Sequence, residues 1–86
     1  MDTYTFKRNN EFLELRLDRG TTNVSGSWST ILTIDDPQYR PATAIRQICE
    51  NQCLIKINTS GDVQIARYNG SATSTEVHTT FLWKIK

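Results

Sequence analysis

From Val77 to Ile85 every second position, Val77, Thr79, Phe81, Trp83 and Ile85, is apolar or β-branched, and the residues between are mostly polar. That period of two predicts a strand with one face buried and one in water. Similar runs recur upstream. Tyr4 and Phe6 alternate with Thr3, Thr5 and Lys7, predicting a short first strand that turns at Arg8-Asn9-Asn10. Leu13, Leu15 and Leu17 alternate with Glu14, Arg16 and Asp18, and Asp18-Arg19-Gly20 reads as the stop. After a polar stretch from Thr21 to Ser27, the residues Trp28, Thr30, Leu32 and Ile34 share one face of a third strand that ends at Asp35-Asp36-Pro37.

Pro37 and Pro41 bracket Gln38-Tyr39-Arg40, and each proline holds the residue before it extended, so an ordered, non-helical connection is expected. Strands are then predicted over Thr43–Cys49, Cys53–Thr59 and Asp62–Tyr68, with Gly61 supplying a positive φ to the turn between the last two. Asn69-Gly70 opens a loop through Ser71 to Thr75 before the final strand. A helix over Ala42 to Cys53 competes, because Ala42, Ile45, Ile48 and Cys49 form a stripe, but it lacks a cap and a stop. The fold expected is all-β, a small antiparallel β-sandwich or jelly-roll-like barrel of about seven short strands. It forms one domain over residues 1–86, and such a domain can also stand at the C-terminus of a longer protein.

A chain of 86 residues makes only a modest core, so a partner subunit is expected to help stabilise it. The net charge of +1, with no cluster of Lys and Arg, argues against nucleic acid. No apolar run is long enough to span a bilayer, and Met1-Asp2-Thr3-Tyr4 has no signal-peptide character, so synthesis in a cytoplasm without membrane insertion is expected. Cys49 and Cys53 flank Glu50-Asn51-Gln52, which would set them opposite each other across a hairpin. They are read as reduced small apolar side chains, since a bridge closing so short a loop removes little chain entropy.

Catalytic chemistry finds little support. His78 is the only histidine and alternates away from Phe81 and Trp83, toward solvent. Asp35-Asp36 reads as a turn rather than as a glycosidase pair. Neither a metal-ligand set nor a cofactor fingerprint is present, so no enzyme, metal or cofactor is expected. Trp83 and Trp28 fall on apolar faces and are assigned to the core. Tyr39 and Tyr68 stand beside polar loops, where a ring face and a hydroxyl on one rigid side chain suit sugar rings as well as protein surfaces.

The segments Trp28–Pro41, Leu54–Ile65 and the closing Phe81-Leu82-Trp83 strand together resemble the C-terminal β-domains of bacteriophage tail and baseplate proteins, above all those infecting Gram-positive hosts. The features carrying the resemblance are the Tyr39-Arg40-Pro41 triplet, the strand-turn-strand pattern around Gly61 and the aromatic last strand. Here Ile34-Asp35-Asp36-Pro37-Gln38 stands where that family has a Leu-Pro turn. The resemblance implies a virion appendage domain, a homotrimer that contacts other tail or baseplate subunits and recognises host cell-wall saccharide. The alternatives are a fibre-capping or trimerisation domain without a ligand, and a lectin-like β-domain unrelated to phage. Asp36, Tyr39, Arg40, Tyr68 and Asn69, with Ser71 to Thr75, are the expected ligand residues if their loops meet at one end of the sandwich.

Overall fold

A computed structural model describes residues 3–85; Met1, Asp2 and Lys86 lie outside it. Seven strands follow in order: β1 (Thr3–Asn9), β2 (Phe12–Val24), β3 (Ser29–Thr33), β4 (Ile45–Ile48), β5 (Cys53–Ile57), β6 (Asp62–Arg67) and β7 (Thr73–Lys84). They form two antiparallel sheets, β1-β2-β7 and β3-β6-β5-β4, packed as a small β-sandwich. Strands occupy the Ala42 to Cys53 region as well, because Ile45 and Gln47 turn inward while Arg46 and Ile48 face water.

Burial follows the alternation. Leu13, Leu15 and Leu17 of β2 lie opposite Trp83, Phe81 and Thr79 of β7, and this face meets Cys53, Ile55 and Ile57 of β5 and Val63 and Ile65 of β6. Apolar side chains standing on alternate positions of both inner faces make the single core.

Two strands change parity part-way, which corrects the sequence reading. The segment expected to stop at Asp18-Arg19-Gly20 instead continues to Val24 through a register shift between Arg19 and Thr22. One extra residue moves the inward set from Leu13, Leu15 and Leu17 to Thr22 and Val24, both buried. In β3 the shift lies between Thr30 and Leu32. Leu32 and Ile34 therefore turn toward the core, while Thr30 faces out and accepts a hydrogen bond from Gln64 Nε2 at 3.1 Å. Trp28 follows Thr30 outward: it is 36% exposed, and the Lys56 ammonium sits 4.2 Å from its ring centroid. Its assignment to the core is thus overturned. Trp83 is buried as expected, its indole N–H donating to the Tyr39 carbonyl at 3.0 Å.

Between β3 and β4 the chain crosses from one edge of its sheet to the other. Pro37–Tyr39 makes one 3-10 turn here, where a non-helical connection was expected, and Asp36 caps it by accepting from the Gln38 N–H at 3.1 Å. A proline at the first turn position loses no helical hydrogen bond, so the rigidity anticipated from the prolines is realised as a short helix. Gly61, at φ +93, accepts at its carbonyl from the Ile34 N–H at 2.8 Å, and any Cβ there would collide with the Ile34 carbonyl oxygen.

Phe81 is the largest fully buried side chain, at 1% exposure. Phe81→Ala should cost about 3–5 kcal/mol, a large share of the roughly 4–13 kcal/mol available to a domain of this size. Equilibrium urea unfolding will show the midpoint falling steeply with the slope unchanged.

Candidate functional site

The predicted ligand residues do not meet. Asp36, Tyr39 and Arg40 sit beside Gly61, at the start of β6, whereas Tyr68 and Asn69 follow its end. Five residue steps along β6, roughly 17 Å at about 3.3 Å each, separate the two groups. The expectation of one shared end is therefore corrected. Its cause is the strand order: β3 pairs antiparallel with β6, so the exit of β3 lies at the entry of β6.

The first group is occupied with holding the crossover. Arg40 donates from Nε to the Ile34 carbonyl at 2.9 Å and from Nη2 to the Asp35 carbonyl at 3.1 Å. Asp36 caps the 3-10 turn, and Tyr39 packs against the core with its carbonyl taken by Trp83. These side chains close one end of the sandwich and leave little for a ligand.

The opposite end carries an open groove of about 390 Å³ lined by Asn23, Val24, Ser25, Ser29, Ala72, Thr73 and Ser74. Part of the predicted Ser71 to Thr75 stretch thus forms one wall, although Thr73 to Thr75 belong to β7 rather than to a loop. The other wall was missed, because Asn23, Val24 and Ser25 looked like a connection. They reach the groove only because β2 continues through its bulge. The two sides are joined by the ladder pairs Asn23–Ser74 and Val24–Thr73 and by Ser74 Oγ donating to Asn23 Oδ1 at 2.8 Å, while the Arg67 N–H at the end of β6 donates to the Ser25 carbonyl at 2.8 Å. Gly26 is needed where the two loops touch, since a Cβ there would lie 2.9 Å from the Gly70 backbone.

Tyr68 stands on the β6–β7 loop, 56% exposed, its N–H donating to the Gln52 carbonyl at 3.0 Å. Asn69 braces that loop: its Nδ2 donates to Gln52 Oε1, and its Oδ1 accepts from the Ser71 N–H at 3.0 Å. Asn51 and Gln52, both at positive φ, form the tip of the β4–β5 hairpin on this side, and Asn51 Nδ2 donates to Thr73 Oγ1 at 3.0 Å. The groove thus offers hydroxyl and amide groups and two small apolar side chains, and Tyr68 stands exposed on the loop that leads into β7. No full charge lines the groove.

Cys49 and Cys53 are free thiols that face each other at the base of the same hairpin, the Cys49 N–H donating to the Cys53 carbonyl at 2.8 Å. Burial, reinforced by Cys53 nearby, pushes the Cys49 thiol up to about 12, so it stays protonated and unreactive at neutral pH. His78 lies on the outer face of the β1-β2-β7 sheet, with Nδ1 3.1 Å from Asp18 Oδ1 and Nε2 3.6 Å from Glu76 Oε2. Among the described residues, no three His, Cys, Asp or Glu side chains gather as a metal site, and no helix is long and apolar enough to cross a membrane.

No protein-family model, curated protein or solved structure gives a significant match to the chain.

The hydrogen bond to Asp18, with Glu76 adding to it, raises His78 above its ordinary value of 6.5. The pair's stabilisation is complete below the unfolded value and disappears as pH rises through the folded one. An NMR titration should place the His78 pKa above 6.5 and show it falling in Asp18→Asn. A midpoint for His78 unchanged by that substitution would remove Asp18 as the cause.

Proposed function

We propose that this domain is a non-catalytic carbohydrate-binding module of a bacteriophage tail or baseplate appendage. The groove at the paired ends of β2 and β7 is its ligand site. The single observation carrying the binding role is the composition of that groove: serine, threonine and asparagine groups around Val24 and Ala72, with no charged wall, and Tyr68 on the adjoining loop. A saccharide needs a small apolar contact for its ring face and several fixed hydrogen-bond groups, and a neutral site suits a neutral ligand. The virion setting rests on the likeness of the Tyr39-Arg40-Pro41 crossover, the Gly61 turn and the aromatic last strand to such appendage domains. An open groove binds weakly one site at a time, and many copies on a virion would compensate. His78 supports no hydrolytic role, because its neighbours are the carboxylates Asp18 and Glu76 on the opposite, outer face of its sheet.

Purified wall polysaccharide from Gram-positive bacteria and a glycan array provide the test. Ala72→Trp, which fills the groove from an exposed position, should abolish binding. Tyr68→Ala should weaken it by about 1–2 kcal/mol if its ring stacks on the sugar, with urea stability retained. Binding that survives both substitutions would move the site elsewhere, and no binding to any glycan would leave a capping role for the domain.

A further inference from the structure

Of the edges of the sandwich, β1 is the open one. At β4, Gln47 Nε2 donates across to the Thr79 hydroxyl and, at 2.9 Å, to the Thr80 carbonyl of β7, tying those two edges together. The β3 edge receives Arg19, whose Nη1 donates to the Ile31 carbonyl at 3.4 Å. Strand β1 has β2 on one side and, among the described residues, no strand on the other. Its register with β2 runs without a bulge from Thr3 opposite Asp18 to Asn9 opposite Phe12. It also contains no proline, so two common devices for blunting an edge are missing.

Residues directly opposite in a ladder share a face. Tyr4, Phe6 and Arg8 lie opposite Leu17, Leu15 and Leu13, so they continue the core face outward. The second sheet does not cover them: Tyr4 is 56% and Phe6 37% exposed, their rings edge to face at 5.8 Å. Asn9 and Phe12 close a two-residue turn and form a hydrogen-bonded pair, so by alternation Thr5, Lys7 and Asn9 direct their N–H and C=O groups to β2. Tyr4, Phe6 and Arg8 direct theirs away from it. The backbone groups and the uncovered apolar side chains therefore belong to the same three residues.

We propose that a second copy of this chain adds its own β1, antiparallel, at this edge, forming a two-fold dimer centred on Phe6. In that register Phe6 meets its counterpart, Tyr4 meets Arg8 of the other copy, and Thr5 meets Lys7. All three outward-directed residues then form hydrogen-bonded pairs. Neither cation faces another: Arg8 lies over a tyrosine ring and Lys7 opposite a threonine. Centring on Lys7 or Arg8 would instead oppose like charges across the dyad. The two copies present their core faces on the same side, and the Tyr4–Phe6 pairs merge into one apolar strip under a continuous six-stranded sheet. An edge joint between seven-residue strands is small beside a standard interface of about 1,200–2,000 Å², so association is sought up to high concentration.

Sedimentation velocity from about 10 µM to about 1 mM should show monomer passing to dimer. Phe6→Lys and Tyr4→Arg each place like charges opposite one another. Both should weaken association at least tenfold with an unchanged far-ultraviolet circular dichroism spectrum. Phe6→Cys should give a disulfide-linked dimer under mild air oxidation, because opposed Cα atoms in a hydrogen-bonded pair lie about 5.5 Å apart, within disulfide reach. A chain that stays monomeric throughout, or assembles as the trimer implied by the phage resemblance, overturns the proposal. So does a dimer indifferent to both charge substitutions, or one that cross-links through Thr5→Cys and not through Phe6→Cys.

Discussion

The ladder between β2 and β7 is the constraint on which the other parts of the molecule depend. It is the longest pairing in the structure, and it sets Leu13 against Trp83 and Leu15 against Phe81. Burial of those rows requires a second apolar layer, which the shorter β5 and β6 supply with Cys53, Ile55, Ile57, Val63 and Ile65. Trp83 extends the ladder's influence to one end of the sandwich, where its indole holds the Tyr39 carbonyl and the β3–β4 crossover follows. At the other end the same two strands stay paired past the bulge, as far as Val24 opposite Thr73, and their last residues line the groove. Strand β1 hangs from β2 alone, and for that reason its apolar face is left open.

The alternation was readable wherever it ran undisturbed. Leu13 to Leu17, Cys53 to Ile57 and Val77 to Ile85 occupy the predicted faces because burial of a two-residue repeat has a single solution. The polar punctuation misled at Asp18-Arg19-Gly20. Gly and Asp favour turns, but in a strand they also accommodate a bulge, and the two are told apart only by whether apolar residues resume on the other parity. Val24 was that signal. One apolar residue in a polar stretch is too slight to carry it without the partner strand in view. Trp28 was misplaced for a related reason: a single inserted residue in β3 reverses every side chain before it.

The division of the expected site has a similar origin. Asp36, Tyr39 and Arg40 have the composition of a binding loop, yet Asp36 and Arg40 bond to main-chain N–H and carbonyl groups within the crossover and Tyr39 packs against the core. A buried or half-buried backbone must be satisfied by something, and a long connection without strand partners draws on its own side chains. In the Ser71 to Thr75 stretch the Ser74 hydroxyl bonds to Asn23 and the Thr73 hydroxyl to Asn51, and these ties to neighbouring strands leave Ala72, Thr73 and Ser74 lining the groove. Composition marked both segments alike. Only the antiparallel order of β3 and β6 places them at opposite ends.

Amide hydrogen exchange followed by NMR on a dilute sample tests most directly the account of a ladder that runs through its bulge and carries an open edge. The amides of Leu13 to Leu17 and of Val77, Thr79, Phe81 and Trp83 should be the slowest to exchange, with protection returning at Val24 beyond the bulge. Those of Tyr4, Phe6 and Arg8 should exchange orders of magnitude faster. Loop-like exchange across Thr21 to Val24, or dilute-solution protection of Phe6 equal to that of Leu15, would contradict it.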